Sequence, residues 1–318
     1  MRLHVVYRSY GPSNAKDRPP YYSKLLCLAS LVRSAEKAEQ HVELVFLNDG
    51  PIPQDRLGLM QSTGQVVGRA HLGLRRSYRE ALALPLERGW SDDDLVWFSE
   101  DDYLYQTRAL HDLIAAADAL PQAAYLALYA SIGHRPPEGG AQPSYAPVPA
   151  RWHDSAPVTV NGHPWRRGLS TTSTFGVRVG TLREDHRILA LSVYTGLGGC
   201  DHAMCLLYQG LRPFPWRSLG RDLIAAGSGD MVQRAKRFAL VPVKTAFNAW
   251  SYARAKRGRL LFAADPALVT HLESGHLALG TDWPAVAQDC ATWAAERRIP
   301  LTLSNSEPDG SISSDHSP

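Results

Sequence analysis

Four times in its first 130 residues the chain passes from a short β-rich run to a helical pattern. RLHVVY, VELVFL, GQVVGRA, DLVWF and AAYLALY are the strand-like runs; YYSKLLCLASLVRSAEKA, PQDRLGLMQSTG, RRSYREALALPLERG and RALHDLIAAADAL are the helical patterns between them. Strand followed by helix, repeated in this way, predicts an α/β fold with a mostly parallel sheet and helices on both faces. Such sheets collect their ligand sites at the carboxyl ends of the strands. At 318 residues with 44% hydrophobic content the chain can build one large domain or a domain with a substantial appendage, and size alone does not suggest two domains.

Lys and Arg number 34 against 31 Asp and Glu, a formal charge of +3, which argues against nucleic-acid binding by bulk electrostatics. The four cysteines, Cys27, Cys200, Cys205 and Cys290, lack the paired close spacing of a zinc site and read as free thiols in a reducing compartment. MRLHVVYRSY enters a strand directly, without a charged leader and apolar core, and no later segment approaches the ~20 apolar residues of a membrane span. The expectation is a cytoplasmic protein, with peripheral attachment at the inner face of a membrane as a further option.

From Ser131 to about Arg167 the sequence turns Pro- and Gly-rich and loses helical periodicity, which predicts a long loop. Its tryptophans, Trp152 and Trp165, favour an ordered lid over a site. LSTTSTFGVRV then reads as a strand, and GGCDHAMCLLYQG as a helix closed by Gly210. Residues 231 to 264 contain no acid but eight Lys and Arg among aromatic residues. Such a segment is either a solvated helical face or one that lies on an anionic membrane surface. SNSEPDGSISSDHSP, within an expected tail at 303–318, is too poor in apolar residues to order itself.

Directly after DLVWF stand Glu100, Asp101 and Asp102. Like charges ~4 Å apart repel by ~1 kcal/mol in water and ~4 kcal/mol at the effective dielectric of a protein site, so the cluster is either solvated in a turn or holds a cation. Carboxylate oxygens suit Mg²⁺ or Mn²⁺, ions that bridge to phosphates. A strand followed by E-D-D resembles the D-x-D element of glycosyltransferases of the GT-A fold, similar to the broad family 2 class. The resemblance implies that Asp102 binds the metal, with Glu100 at the ribose or the metal shell and Asp101 beside it. VVYRSY resembles the family's first strand, which would put Val6, Tyr7 and Arg8 near the nucleotide base. VELVFLNDG resembles the second, with Asn48 and Asp49 toward uracil or ribose; N-D-G is equally a good turn sequence. HLGLRRSYREAL stands where relatives carry a loop and helix, so that Arg75 or Arg76 would approach the diphosphate with its planar charged fork.

GGCDHAMCLLYQG resembles the family's acceptor-side helix, and Asp201 takes the place of the base in inverting enzymes. Asp201 is also a plausible helix N-cap. Cys200 stands where an acid often precedes that Asp, a departure that His202 would offset only in part. In WRRGLSTTSTFGVRV, which resembles the acceptor-side strand, Thr172 and Thr174 are candidate sugar contacts, together with Trp152 and Trp165; the threonines also suit a strand by propensity. VTHLESGHLALGTDW resembles a C-terminal stretch that returns a histidine to the metal, giving His271 as second ligand and His276 as its alternative.

The resemblance runs from Arg2 to about Trp283 and implies one GT-A-like domain over 1–302. Its parts are a nucleotide-binding half to about 130, an acceptor-side half to about 230 and the basic helical segment 231–264. The activity that the resemblance implies is metal-dependent and inverting: transfer of a sugar from a nucleotide donor, uridine diphosphate favoured, to a glycan, lipid-linked or small-molecule acceptor, with Mn²⁺ or Mg²⁺. A sugar-phosphate nucleotidyltransferase, and an inert homologue that binds carbohydrate or protein, are the alternatives; GPSNAKDRPP is a poor version of the basic loop the former carries.

Overall fold

In the computed structural model the described residues are 1–12, 16–38, 42–131, 156–191, 200–224, 231–301 and 303. Of the expected tail at 303–318, residues 304–318 lie outside them, as does the part of the expected lid that carries Trp152. The first half runs β1 (Leu3–Tyr10), α1 (Lys24–Glu36), β2 (Val42–Asp49), α2 (Gln54–Thr63), β3 (Gln65–Arg69), α3 (Gly73–Glu87), β4 (Leu95–Glu100), β5 (Tyr103–Tyr105), α4 (Ala109–Ala119), β6 (Ala123–Ala127) and β7 (Ala130–Ser131). There follow β8 (Val158–Val160), β9 (His163–Arg167), β10 (Ser170–Thr171), β11 (Phe175–Arg178), α5 (Val179–Leu191) and α6 (Cys200–Tyr208). The chain continues with α7 (Trp216–Leu223), α8 (Met231–Ala239), α9 (Val241–Arg254), β12 (Leu260–Ala264), β13 (Val269–His271) and α10 (Trp283–Glu296).

Among the described residues nine strands form one sheet in the order β3-β2-β1-β4-β11-β6-β12-β9-β8. β11 runs antiparallel between β4 and β6, and β9 antiparallel between β12 and β8; the other seven strands share one direction. The mostly parallel α/β sheet that the alternation predicts is therefore present. Both faces are covered, as parallel strands require. Val5, Tyr7, Phe46 and Trp97 pack under α1, α2, α4 and α10 on one side. Val6, Val45, Val96 and Phe98 pack under α3, α5 and α6 on the other. Ser23 caps α1, its hydroxyl accepting from Leu26 N at 3.0 Å.

Three expectations differ from the structure. Residues 158–167 are a β-hairpin, not loop: Asn161 (φ 49°) and Gly162 (φ 75°) make its turn, the strongest short hairpin signal there is. LSTTSTFGVRV is broken into β10 and β11, because Thr171 Oγ1 bonds Tyr129 O at 2.8 Å and Thr174 O at 3.1 Å and turns the chain locally. The basic segment 231–264 is not helical throughout; LLFAA, a continuous apolar run as a strand covered on both faces requires, enters the sheet as β12 beside β6 and β9. No helix among the described residues is long and apolar enough to cross a membrane.

One buried acid ties the second half together. Asp185 of α5 is fully buried and accepts from Tyr125 Oη at 2.9 Å, Arg254 Nη2 at 2.6 Å and Arg259 Nε at 3.2 Å. Asp185→Ala leaves two guanidinium groups and a phenol beside an apolar void. We expect a loss of about 3 kcal/mol in urea unfolding; a midpoint within error of wild type would show the network to be idle.

Candidate active site

The three consecutive carboxylates do not share one cation. Parallel register sets Arg8 opposite Glu100, so the two share the α3 face of the sheet and form an ion pair between Arg8 Nη2 and Glu100 Oε1. Arg8 Nη1 also donates to Ser77 Oγ at 3.2 Å, and the guanidinium lies 5.2 Å from the centre of the Tyr78 ring. Asp101 turns toward α1: its Oδ2 accepts from Tyr10 N and from Lys24 Nζ, both at 2.8 Å, with Arg56 Nη1 at 3.9 Å. Arg56 and Lys24 in turn donate to the carbonyl of Tyr10. Glu100 and Asp101, expected at the nucleotide, thus hold the carboxyl ends of β1 and β4 to α3 and α1.

Asp102 faces a third group. β5 begins at the next residue and pairs antiparallel with β13, His271 opposite Tyr103, which brings the imidazole to the carboxylate. His271 Nε2 lies 2.9 Å from Asp102 Oδ2 across 169 residues of sequence. The Tyr103 ring stacks on the imidazole at 5.1 Å and 27°, and its hydroxyl donates to Thr172 Oγ1 at 2.8 Å. The segment after β1 supplies two cations. Arg18 Nη2 donates to Asp102 Oδ2 at 3.1 Å while Arg18 Nη1 donates to Leu272 O at 2.5 Å. Lys16 Nζ stands 3.6 Å from Asp102 Oδ2, 3.3 Å from His271 Nε2 and 3.0 Å from Glu273 Oε2. Backbone bonds lock the frame: Leu272 N donates to Asp102 O at 2.9 Å and Ser274 N to Asp17 O at 3.0 Å.

Burial pushes the Asp102 carboxyl up, but the hydrogen bond and charge of His271, the Arg18 bond and the Lys16 charge outweigh it and hold the group well below the usual carboxylate range. Glu273 is held low in the same way, its partial burial overcome by Lys16 and then by the two histidines. One carboxylate oxygen and one imidazole nitrogen suit a divalent ion such as Mn²⁺ that takes its remaining oxygens from a ligand. No group of three or more His, Cys, Asp or Glu among the described residues is placed to hold a metal unaided. The donors fit a metal shared with a bound anion, and Lys16 and Arg18 are the anion's natural partners.

The remaining expected residues divide. Thr172 reaches this cluster through Tyr103, whereas Thr174 is fully buried, its side chain away from any ligand. Val6 and Tyr7 are core residues, 0% and 1% exposed, because a central strand buries both faces; the strand's end, where Tyr10 is 46% exposed, faces the crevice instead. Asp49 is spent on structure: its carboxylate accepts from Leu72 N at 2.5 Å and Gly73 N at 2.7 Å, neutralising the start of α3. Arg75 and Arg76 are exposed in the first turn of that helix, a position from which they remain available to a ligand. Trp165, on β9, is fully buried in the core, which rules it out of a lid. Asp201 lies in the first turn of α6, and its side chain is outside the described residues, as is that of Cys200. Burial pushes the His202 imidazole down to about 4, so it is neutral at neutral pH. His276 is mostly exposed and 6.2 Å from His271 between ring centres. Asp282 caps α10 through Ala285 N at 3.1 Å.

Sequence reasoning missed Lys16, Arg18, Lys24 and Arg56. The signal was their place: the first two lie in the loop following the first strand, over the carboxyl edge of the sheet. Because the Asp102 carboxyl is held low when folded, its stabilisation is complete above the unfolded value near 4 and is lost as pH falls below it. The stability difference between wild type and Asp102→Asn should therefore shrink as pH falls from 5 toward 3. Urea melts across that range check this; a difference independent of pH would refute it.

No protein-family model matches the chain. Nor does any curated protein sequence match it. Among solved structures it is similar to S. aureus TarS, at 16% identity and a TM-score of 0.38, over 65% of this chain and 33% of that one. TarS 1-349 in complex with UDP gives 16% identity and a TM-score of 0.37, covering 65% and 54%. The chain thus spans between a third and about half of these two TarS chains. CMP:2-keto-3-deoxy-manno-octonic acid synthetase complexed with CTP gives 12% identity and a TM-score of 0.42, covering 93% and 100%.

Proposed function

We propose that this chain is a GT-A-like glycosyltransferase that moves a sugar from a nucleoside diphosphate, uridine diphosphate favoured, to an acceptor hydroxyl with a divalent cation. The observation that carries this reading is the convergence of Asp102, His271, Lys16 and Arg18 at the carboxyl edge of the sheet. Two metal donors and two cations on one oxygen form a site for a polyanion, and the E-D-D after a buried strand supplies the family's order of parts. An ion held by Asp102 and His271 would supply the positive charge that a departing diphosphate requires, the main electrostatic task of such a transfer.

Asp102 and His271 would hold the ion, with Tyr103 fixing the imidazole plane by stacking. Lys16 and Arg18 would bind diphosphate oxygens. Arg8, Glu100 and Asp101 keep the strand ends rigid, and Thr172 orients Tyr103. Asp201 would take the acceptor's proton as the base, which gives inversion; such a base contributes about 10² to 10⁴ fold. Mn²⁺ is favoured over Mg²⁺ by the imidazole.

A thermal-shift panel of UDP and UDP-sugars with and without Mn²⁺ tests the assignment. The metal-dependent shift should vanish in Asp102→Ala and His271→Ala and persist in Asp201→Ala, whose turnover alone should fall by about 10² or more. Equal shifts in wild type and Asp102→Ala would sink it. A second reading rests on Lys16 and Arg18, which come from GPSNAKDRPP, the place of the basic loop of nucleotidyltransferases. Pyrophosphate release from a nucleoside triphosphate and a sugar phosphate, without transfer from nucleotide sugars, would select that reading.

A further inference from the structure

The helices after α6 present a surface that the candidate active site does not use. Trp216, Leu223 and Ile224 are 58%, 52% and 73% exposed at α7 and its end. Met231, Val232 and Phe238 of α8 are 84%, 74% and 55% exposed. At 100° per residue, Met231, Val232, Ala235, Phe238 and Ala239 fall within an arc of about 120° on α8, while Arg234, Lys236 and Arg237 occupy the rest. Between α7, α8 and α9 runs an apolar groove lined by Leu223, Phe238, Val241, Pro242 and Ala249.

Among the described residues the exposed charge around this apolar face is basic. Arg217, Arg221, Arg234, Lys236 and Arg237 are exposed. Among the described residues from 211 to 264 the acid is Asp222, and Lys244 holds it at 2.7 Å. Arg254 and Arg259 do not contribute, being turned inward on Asp185. A second copy of the chain would bring like charges together at this face. An anionic lipid surface is complementary in both respects, accepting apolar side chains at the depth of the headgroups and basic ones among the phosphates.

We propose that the α7–α9 face is a docking surface for an anionic phospholipid bilayer. The face adjoins the acceptor-side helix, since Phe247 of α9 packs with Met204 and Leu207 of α6. Docking here stands independently of the reaction proposed above, because it calls on no nucleotide, metal or residue of the Asp102 cluster.

Co-sedimentation of the full chain with vesicles of phosphatidylcholine, alone or mixed with phosphatidylglycerol, tests this. Binding to the mixed vesicles should exceed that to phosphatidylcholine about tenfold or more at low salt. It should fall away at about 0.5 M salt, where screening acts within a few ångströms. Lys236→Glu with Arg237→Glu, and separately Met231→Ser with Val232→Ser, should each weaken it about tenfold with melting temperatures unchanged, since these side chains are exposed. Absence of binding to the mixed vesicles would overturn the proposal, as would equal binding to both vesicle types or full retention by either variant. A self-association seen by sedimentation velocity and abolished by Met231→Ser with Val232→Ser, without vesicle binding, would assign the face to a second copy instead.

Discussion

Three adjacent carboxylates at the end of β4 can coexist because the chain sends each to a different cation. Unpaired, neighbouring charges of this kind would cost several kcal/mol at a protein site. Glu100 is neutralised by Arg8 on the α3 side, Asp101 by Lys24 with Arg56 on the α1 side, and Asp102 by Arg18 and Lys16 with His271 at the crevice. The pleat of β4 and the turn after it make this separation geometric. Each pair also fastens β4 to another element, so electrostatic relief and the alignment of β1, α1, α3 and the crevice are one requirement.

The small β5 and β13 sheet converts that alignment into a site. A residue 169 positions downstream reaches Asp102 because β13 pairs with the strand that starts immediately after it. The aromatic ring of Tyr103, buried at 1% exposure, then restricts the imidazole plane. His271 is therefore positioned by backbone ladder and stacking rather than by its own hydrogen bonds alone. That is the preorganisation a ligand or ion site requires.

The strand and helix alternation was legible because parallel central strands are apolar on both faces, and LHVVY, VELVFL and DLVWF carry that mark without ambiguity. Asp102 and His271 were legible as a pair through the order of parts in the resemblance, and the structure brings them together. Position within a strand was read less well. Val6 and Tyr7 were placed near a ligand, yet a residue in the middle of a covered strand is buried; only its carboxyl end is open. Asp49 shows a different limit, since a carboxylate at a strand end serves a helix start 23 residues on as readily as a nucleotide, and the deciding contact is tertiary. The hairpin at Asn161 and Gly162 was hidden by the Pro-rich text around it, and the pairing of β11 against β4 depends on a crossover that no local pattern records.

Lys16 is 3.6 Å from Asp102 Oδ2, and in the proposed function a divalent ion would share that oxygen with it. Two like charges about 4 Å apart repel by ~4 kcal/mol at an effective dielectric of 20, and a doubly charged ion doubles the term. Lys16 and an ion therefore compete unless an anion lies between them. In the proposed function a diphosphate would supply that anion and give Lys16 a new acceptor as it leaves the carboxylate. On that reading ion and diphosphate binding would be favourably coupled, each lowering the cost of the other, and by linkage the coupling would be the same in either order. Lys16, 34% exposed at its side chain, is the group best placed to make that exchange, whereas Arg18, anchored to Leu272 O and stacked 4.4 Å from Tyr22, would hold the segment in register.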